Sequence, residues 1–230
     1  MKALLYKELR LAMHPICYVF ILLFPFMILI PSYPLAIGFI YVLTCYPILF
    51  LGANKGQQSN DLLYSTLLPV RKKDIVLARI ITVALMQLVF VLLMSALVPL
   101  ARNLSGNMTS RSGTPVEVPG ISLNGYVSIV AIAIIGFSIA DLIFFPIYYR
   151  KGRSIVLSTL LMIIGFIVYL SIFTIAIPYL PVIGEGYKSF LENENIGIQF
   201  ALLGGALIIY IAFHFLVYRI SSNLLEKVDF

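Results

Sequence analysis

Asp141 lies within an unbroken apolar run, residues 127–149. A carboxylate there must find a partner, reach water or take up a proton, because a bare charge costs at least about 2.5 kcal/mol on insertion scales. Arg79 and His214 also sit inside apolar runs. Counted at about 1.5 Å per residue from the same-side ends of their runs, Asp141 is roughly 12 Å deep, His214 about 9 Å and Arg79 about 6 Å. All three are expected in one half of a helical bundle. A carboxylate, an imidazole and a guanidinium there suit a gate or substrate contact. They suit better a polar clasp between helices, with Asp141 paired, or protonated and bonded to a backbone carbonyl, since such contacts are routine in bundles. An intramembrane enzyme using Asp141 as acid or base needs a second group at that depth, and Arg79 and His214 are the candidates. A proton relay fits less well, since one carboxylate is not a chain. Gln87 and Tyr169 are further polar groups inside apolar runs, and both read as helix–helix hydrogen bonds.

The motifs that would supply other chemistry are missing from the sequence. It has no G-x-x-x-x-G-K-[ST] phosphate loop and no dinucleotide fingerprint. Neither G-x-S-x-G nor H-E-x-x-H occurs. The histidines are two, His14 and His214, and no Cys/His pair has metal-ligand spacing, so no metal site is expected. No catalytic residue is assigned. Energised work by this chain would draw on another chain or on an ion gradient. An ion-coupled carrier matches poorly, with one buried carboxylate and no clear pair of broken helices.

The elements that must hold these residues are set by composition. Of the 230 residues 61% are hydrophobic and 11% charged, more apolar surface than a soluble domain of this length can bury. Six apolar runs approach or exceed the roughly 20 residues that cross a bilayer as a helix: 16–30, 34–52, 75–100, 127–149, 154–178 and 197–220. Their continuity argues against the alternating segments of a barrel. The expected fold is an all-α membrane protein, a single transmembrane domain over residues 1–230 with six transmembrane helices. Alternating the runs puts 13 Lys and Arg on one side and only Arg102, Arg111 and Lys188 on the other. The crowded side is therefore cytosolic, with both termini there. The net charge of +6 is then a topology signal and gives no reason to invoke nucleic acid. The basic rim favours anionic lipid headgroups. No cleavable signal peptide is expected. Cys17 and Cys45 fall at different depths in their runs, which disfavours a disulfide.

Residues 1–14 read as an interfacial helix with Leu5, Leu9, Ala12 and Met13 on its apolar face. Pro15 suits a helix start, and Pro25, Pro47 and Pro146 are expected to kink their spans. Gly197, Ala201 and Gly205 form a small-residue stripe suited to close packing, within the subunit or across a dimer. The outer segments 101–124 and 179–196 are polar and broken by Gly and Pro, with 187–191 as a candidate short interfacial helix. Residues 53–74 form the most structured polar stretch. Its amphipathic centre, 62–68, is ended by Pro69 and followed by the basic Arg71, Lys72 and Lys73. It either lies on lipid headgroups or docks a cytosolic partner, and the residues alone leave both open.

Residues 61–79, DLLYSTLLPVRKKDIVLAR, resemble the cytosolic loop of bacterial type-2 ABC exporter permeases. In those proteins an S-L-P-V-x-R-x-D-I-V-x-A-(K/R) run leads into the third span. Here Thr66 and two leucines precede the Pro-Val pair, one extra or altered residue. The opening Lys7-Glu8-Leu9 and the run FPIYYRKG at 145–152 are similar to the family too. With six spans and both termini inside, the resemblance covers essentially the whole chain. It implies a permease subunit that pairs as a homodimer or heterodimer. It also implies a separate cytosolic ATP-binding-cassette ATPase, which carries the ATP and Mg; this chain itself needs no cofactor. The coupling segment would comprise Gln58, Asn60, Asp61, Leu62, Leu63, Tyr64, Thr66 and Leu67, with Arg71 leading back to the membrane. The compact size is similar to small Firmicute permeases, including phenol-soluble modulin exporters. The implied substrate is amphipathic, such as a cytolytic or antimicrobial peptide, moved outward across the plasma membrane. A non-transporting membrane scaffold or immunity subunit would share the docking stretch.

Overall fold

The computed structural model describes residues 2–12, 15–29, 70–106, 123–150, 155–172 and 196–227. All regular structure among them is helical. The N-terminal helix α1, Lys2–Lys7, widens into a π-helical turn over Glu8–Ala12. Helix α2, Pro15–Leu23, tightens into a 3₁₀ segment over Phe24–Leu29. The long helices are α3 (Lys72–Gly106), α4 (Leu123–Arg150), α5 (Ile155–Ser171) and α6 (Ile196–Glu226). The predicted span 34–52, residues 53–69 and the segments 107–122 and 173–195 lie outside the described residues.

Local chemistry sets several boundaries. Pro15 opens α2, where a missing N–H costs little. Pro25 has no N–H to offer the preceding turn, and the α-helix gives way to 3₁₀ at that point. The backbone N–H of Asp74 donates to the carbonyl of Arg71 at 2.9 Å and closes the first turn of α3. Helix α3 begins three residues before its apolar run and ends six after it; α6 continues six residues past Ile220. The apolar pattern marks the hydrocarbon, whereas a helix continues into water as long as its backbone bonds close. Among the described residues three helical stretches are long and apolar enough to cross a membrane: Lys72–Leu97, Val130–Arg150 and Phe200–Glu226. Taken together as one span, the bent pair Lys2–Arg10 and Pro15–Phe26, meeting at 80°, would make a fourth. Helix α5 is apolar and shorter, about 26 Å at the usual rise.

Cross-contacts fix the helix directions. Tyr169 of α5 donates to the carbonyl of Ile132 of α4, while Gly165 faces Ile143, so rising numbers on one helix meet falling numbers on the other. Gln87 of α3 meets Asp141 of α4, and eight residues earlier Arg79 meets Tyr148. These pairings run α3 antiparallel to α4, and α4 antiparallel to α5. Helix α6 lies along α4 in the same direction, with His214 level with Asp141 and Glu226 near Lys73.

The core is aromatic. Phe90, Phe137, Phe144, Phe145 and Phe166 are fully buried between α3, α4 and α5. Phe90 meets Phe137 edge-on at 6.1 Å, and Phe144 stacks on Tyr148 at 5.7 Å. The other faces carry exposed apolar side chains, among them Leu92, Ile208, Ile211 and Phe215, as lipid-facing surfaces do. Gly204 and Gly205 have open space beside them, so that part of the small-residue stripe looks outward from the described bundle.

The N-terminal helix turns a different face inward from the one its apolar spacing suggests. Leu4 and Glu8 are buried, while Leu5 and Leu9 are half-buried. A carboxylate on the inner face needs a strong partner, and one is present in α3.

Candidate functional site: two buried polar layers

The first layer joins α3, α4 and α6. Asp141 is 0% exposed and Gln87 1%. Gln87 Nε2 donates toward both carboxylate oxygens of Asp141, at 3.2 and 3.1 Å. The other end of that amide, Oε1, accepts from the hydroxyl of Tyr210 at 2.8 Å. Its orientation is chemically fixed, because the reverse would set a carbonyl oxygen against a carboxylate. The Tyr210 hydroxyl also lies 3.3 Å from the carbonyl of Ala84. His214 Nε2 is 2.9 Å from Asp141 Oδ2, at ion-pair distance but off the line of a straight hydrogen bond. The imidazole packs on the Tyr210 ring at 4.0 Å between centroids.

Proton counting gives this layer its chemistry. His214 Nδ1 is 2.9 Å from the carbonyl of Tyr210, which only accepts, so Nδ1 carries hydrogen. Nε2 then faces the carboxylate with either a proton or a lone pair. Two lone pairs at that distance would repel, so one proton is held between His214 and Asp141. Whether the pair is imidazolium–carboxylate or imidazole–carboxylic acid, its net charge is zero. A neutral pair with a hydrogen-bonded third partner answers the desolvation problem that a lone Asp141 poses. The arrangement fastens three helices at one level and buries Asp141 completely.

The second layer is nearer the basic end of the bundle. Arg79 makes a two-point ion pair with Glu8 of the N-terminal segment, Nε to Oε2 at 3.0 Å and Nη2 to Oε1 at 3.3 Å. Its Nη1 donates to the Tyr148 hydroxyl at 3.4 Å. Glu8 is 5% exposed and Arg79 9%. Lys7 Nζ approaches the same carboxylate at 3.9 Å. The planar guanidinium fork matches a carboxylate in a way an ammonium does not.

Of the three residues expected together, Asp141 and His214 meet, and Arg79 lies in the other layer. Arg79 is eight residues before Gln87, about 12 Å along α3. Depth counting sets Arg79 nearer the basic end than Asp141, and the structure separates them further, with Arg79 beside Tyr148, seven residues from Asp141 on α4. Asp141 takes Gln87 as its α3 partner instead. Tyr169 bonds α5 to α4 through the carbonyl of Ile132 at 2.7 Å. Arg71 is exposed at the approach to α3. Gln58, Asn60, Asp61, Leu62, Leu63, Tyr64, Thr66 and Leu67 lie outside the described residues. Among the described residues, no three His, Cys, Asp or Glu side chains converge as a metal site.

Glu8, Tyr148 and Tyr210 are the site residues that sequence reasoning passed over. Glu8 had a signal, being the one acidic residue before Asp61 while Arg79 stood in an apolar run needing an anion. Tyr210 had a weaker one, its i, i+4 spacing from His214.

The family model described as ABC-2 family transporter protein matches residues 3–226, nearly the full chain. The chain belongs to the ABC-2 transporter family. As an ABC-2 permease it is a multi-pass protein of the plasma membrane and the membrane component of an ABC exporter. Comparison of this permease with curated proteins and with solved structures returns no match.

Proposed function

We propose that this permease is one half of a six-span dimeric exporter, with both termini cytosolic, driven by a separate ATP-binding-cassette ATPase that holds the ATP and Mg. The observation that carries this is the family match over residues 3–226. Supporting it, the sequence has no phosphate loop, and basic residues gather at the start of α3. The coupling segment is 58–67, containing Gln58, Asn60, Asp61, Leu62, Leu63, Tyr64, Thr66 and Leu67, with Arg71 at its return to the membrane. Closure of the ATPase on ATP pushes this segment, the push enters α3, and the two permease halves rock. The substrate is amphipathic, a cytolytic or antimicrobial peptide, moved outward between aromatic and Leu-rich walls. Surrounding anionic lipids hold the basic rim. The twin polar layers serve as structure that moves as a unit.

The test is charge reversal at Asp61 or a proline at Thr66, with the permease and its ATPase purified together in lipid. The expected outcome is retained assembly and retained ATP hydrolysis, with export of an amphipathic peptide reduced at least tenfold. Unchanged peptide-stimulated hydrolysis and unchanged export would remove the coupling assignment. Failure of any ATPase to co-purify with the unmodified permease would remove the exporter reading itself.

A further inference from the structure

Two ion pairs converge on the first eight residues of α3, and they come from opposite ends of the chain. Glu226, in the last turn of α6, meets Lys73 at 3.2 Å. Both side chains are nearly half exposed, so water and salt screen that link and its hold is weak. Glu8 meets Arg79 six residues further along α3, at two points and nearly out of water. The second link is by far the stiffer, because both charges are desolvated and the fork fixes their mutual orientation.

The N-terminal segment also has a hold on α2. The Tyr18 hydroxyl donates to the carbonyl of Leu9, so the turn that follows Glu8 is tied to the first span. Leu4 and Glu8, four residues apart, share the inner face of the N-terminal segment, and the helix widens to a π-helical turn from Glu8 onward. The N-terminal segment is therefore tied at two adjacent residues, Leu9 to α2 through its backbone carbonyl and Glu8 to α3 through a buried charge pair.

We infer that Glu8 and Arg79 are positioning residues for transport: their ion pair makes the N-terminal helix follow the start of α3. The inference rests on the exporter reading, in which displacement enters at the segment preceding α3. Arg79 is eight residues beyond Arg71, about 12 Å along the helix. Motion delivered at Arg71 reaches Arg79 through continuous α-helix, and Glu8 carries it to the N-terminal helix and, through Leu9 and Tyr18, to α2. Without the pair, only packing against α3 is left to carry the motion, and the N-terminal helix follows α3 less closely.

The test places spin labels at Ala3 and Leu85, both exposed, after Cys17 and Cys45 are replaced. The permease is studied with its ATPase in lipid nanodiscs, nucleotide-free and after trapping with ATP and vanadate. In the unmodified chain one Ala3–Leu85 distance population is expected in both states. In Glu8→Gln, trapping is expected to produce a second population, while hydrolysis by the complex stays within twofold. The charge exchange Glu8→Arg with Arg79→Glu is expected to restore the single population. A purely structural pair would alter assembly or both states alike, and the nucleotide-dependent difference would be absent. That result, or a Glu8→Gln protein behaving as the unmodified one, overturns the inference. An exchange that assembles but does not restore the single population overturns it as well. Absence of bound ATPase from the unmodified permease is recognisably different, since it overturns the exporter reading underneath.

Discussion

At the scale of single residues, the state of Asp141 decides between a clasp and chemistry. Asparagine at this position can satisfy every partner that aspartate has. Its Oδ1 accepts from Gln87, and its Nδ2 donates to His214 Nε2, which is an acceptor once Nδ1 holds the hydrogen against Tyr210. Asp141→Asn should therefore cost under about 1 kcal/mol in unfolding from detergent micelles, a typical net worth for interhelical hydrogen bonds in membranes. Asp141→Ala strands the amide of Gln87 and the imidazole of His214 in a dry layer, and should cost about 2–3 kcal/mol. If the layer is a clasp, Asp141→Asn exports normally and Asp141→Ala loses export in step with stability. Loss of export in a fully stable Asp141→Asn would show instead that the proton on this pair is used. Much of this layer is legible in the sequence, since polar residues in apolar runs stand out. Which of them meet is not, because that depends on helix rotation and height. Arg79 illustrates the point, since its count sets it in the same half of the bundle as Asp141 while its place on α3 is two turns from Gln87.

At the scale of elements, the α4–α5 pair is held by close approach. A Cβ built on Gly136 would sit 2.8 Å from Phe166 Cε2 and 2.9 Å from Tyr169 Cε1. Neither ring has room to yield, since Phe166 is buried in the core and Tyr169 is tethered by its bond to the carbonyl of Ile132. Gly136→Ala should separate the helices and cost about 1–3 kcal/mol, as overpacking does. Thermal unfolding in detergent measures it, and an unchanged midpoint would refute the close packing. Gly165→Ala should be milder. Its new methyl meets only the Cδ1 end of Ile143, a side chain that can change rotamer. The sequence marks six apolar runs and suggests Pro25 and Pro146 as irregularities, and the described helices follow the runs they overlap. Neither Gly136 nor Gly165 belongs to the glycine stripe that the spacing of α6 singles out. A contact between two helices is a property of both surfaces, and one helix's pattern contains half of it.

At the scale of the molecule, the described helices alternate in direction and gather their cations at one end. Lys73, Arg79 and Arg150 lie at the start of α3 and the end of α4, and Arg219 and Lys227 toward the end of α6. The opposite end of α3 carries Arg102 alone. A cytosolic excess of Lys and Arg resists translocation, so the proposed orientation puts the crowded end inside. This sidedness is what the coupling proposal requires, because an ATPase reaches α3 only if residue 71 faces the cytosol. Single cysteines at Arg150 and Lys227 should therefore react with an impermeant maleimide only after the cells are opened. A cysteine at Leu100, exposed near the other end of α3, should react in intact cells more readily than either. The two outcomes are linked by the helix directions: α4 and α6 run together and against α3, so Arg150 and Lys227 must switch sides together or not at all. Labelling of Lys227→Cys from outside with Arg150→Cys protected would contradict the fold. Labelling of both from outside would keep the fold and reverse the protein in the membrane, and no cytosolic ATPase would then reach α3.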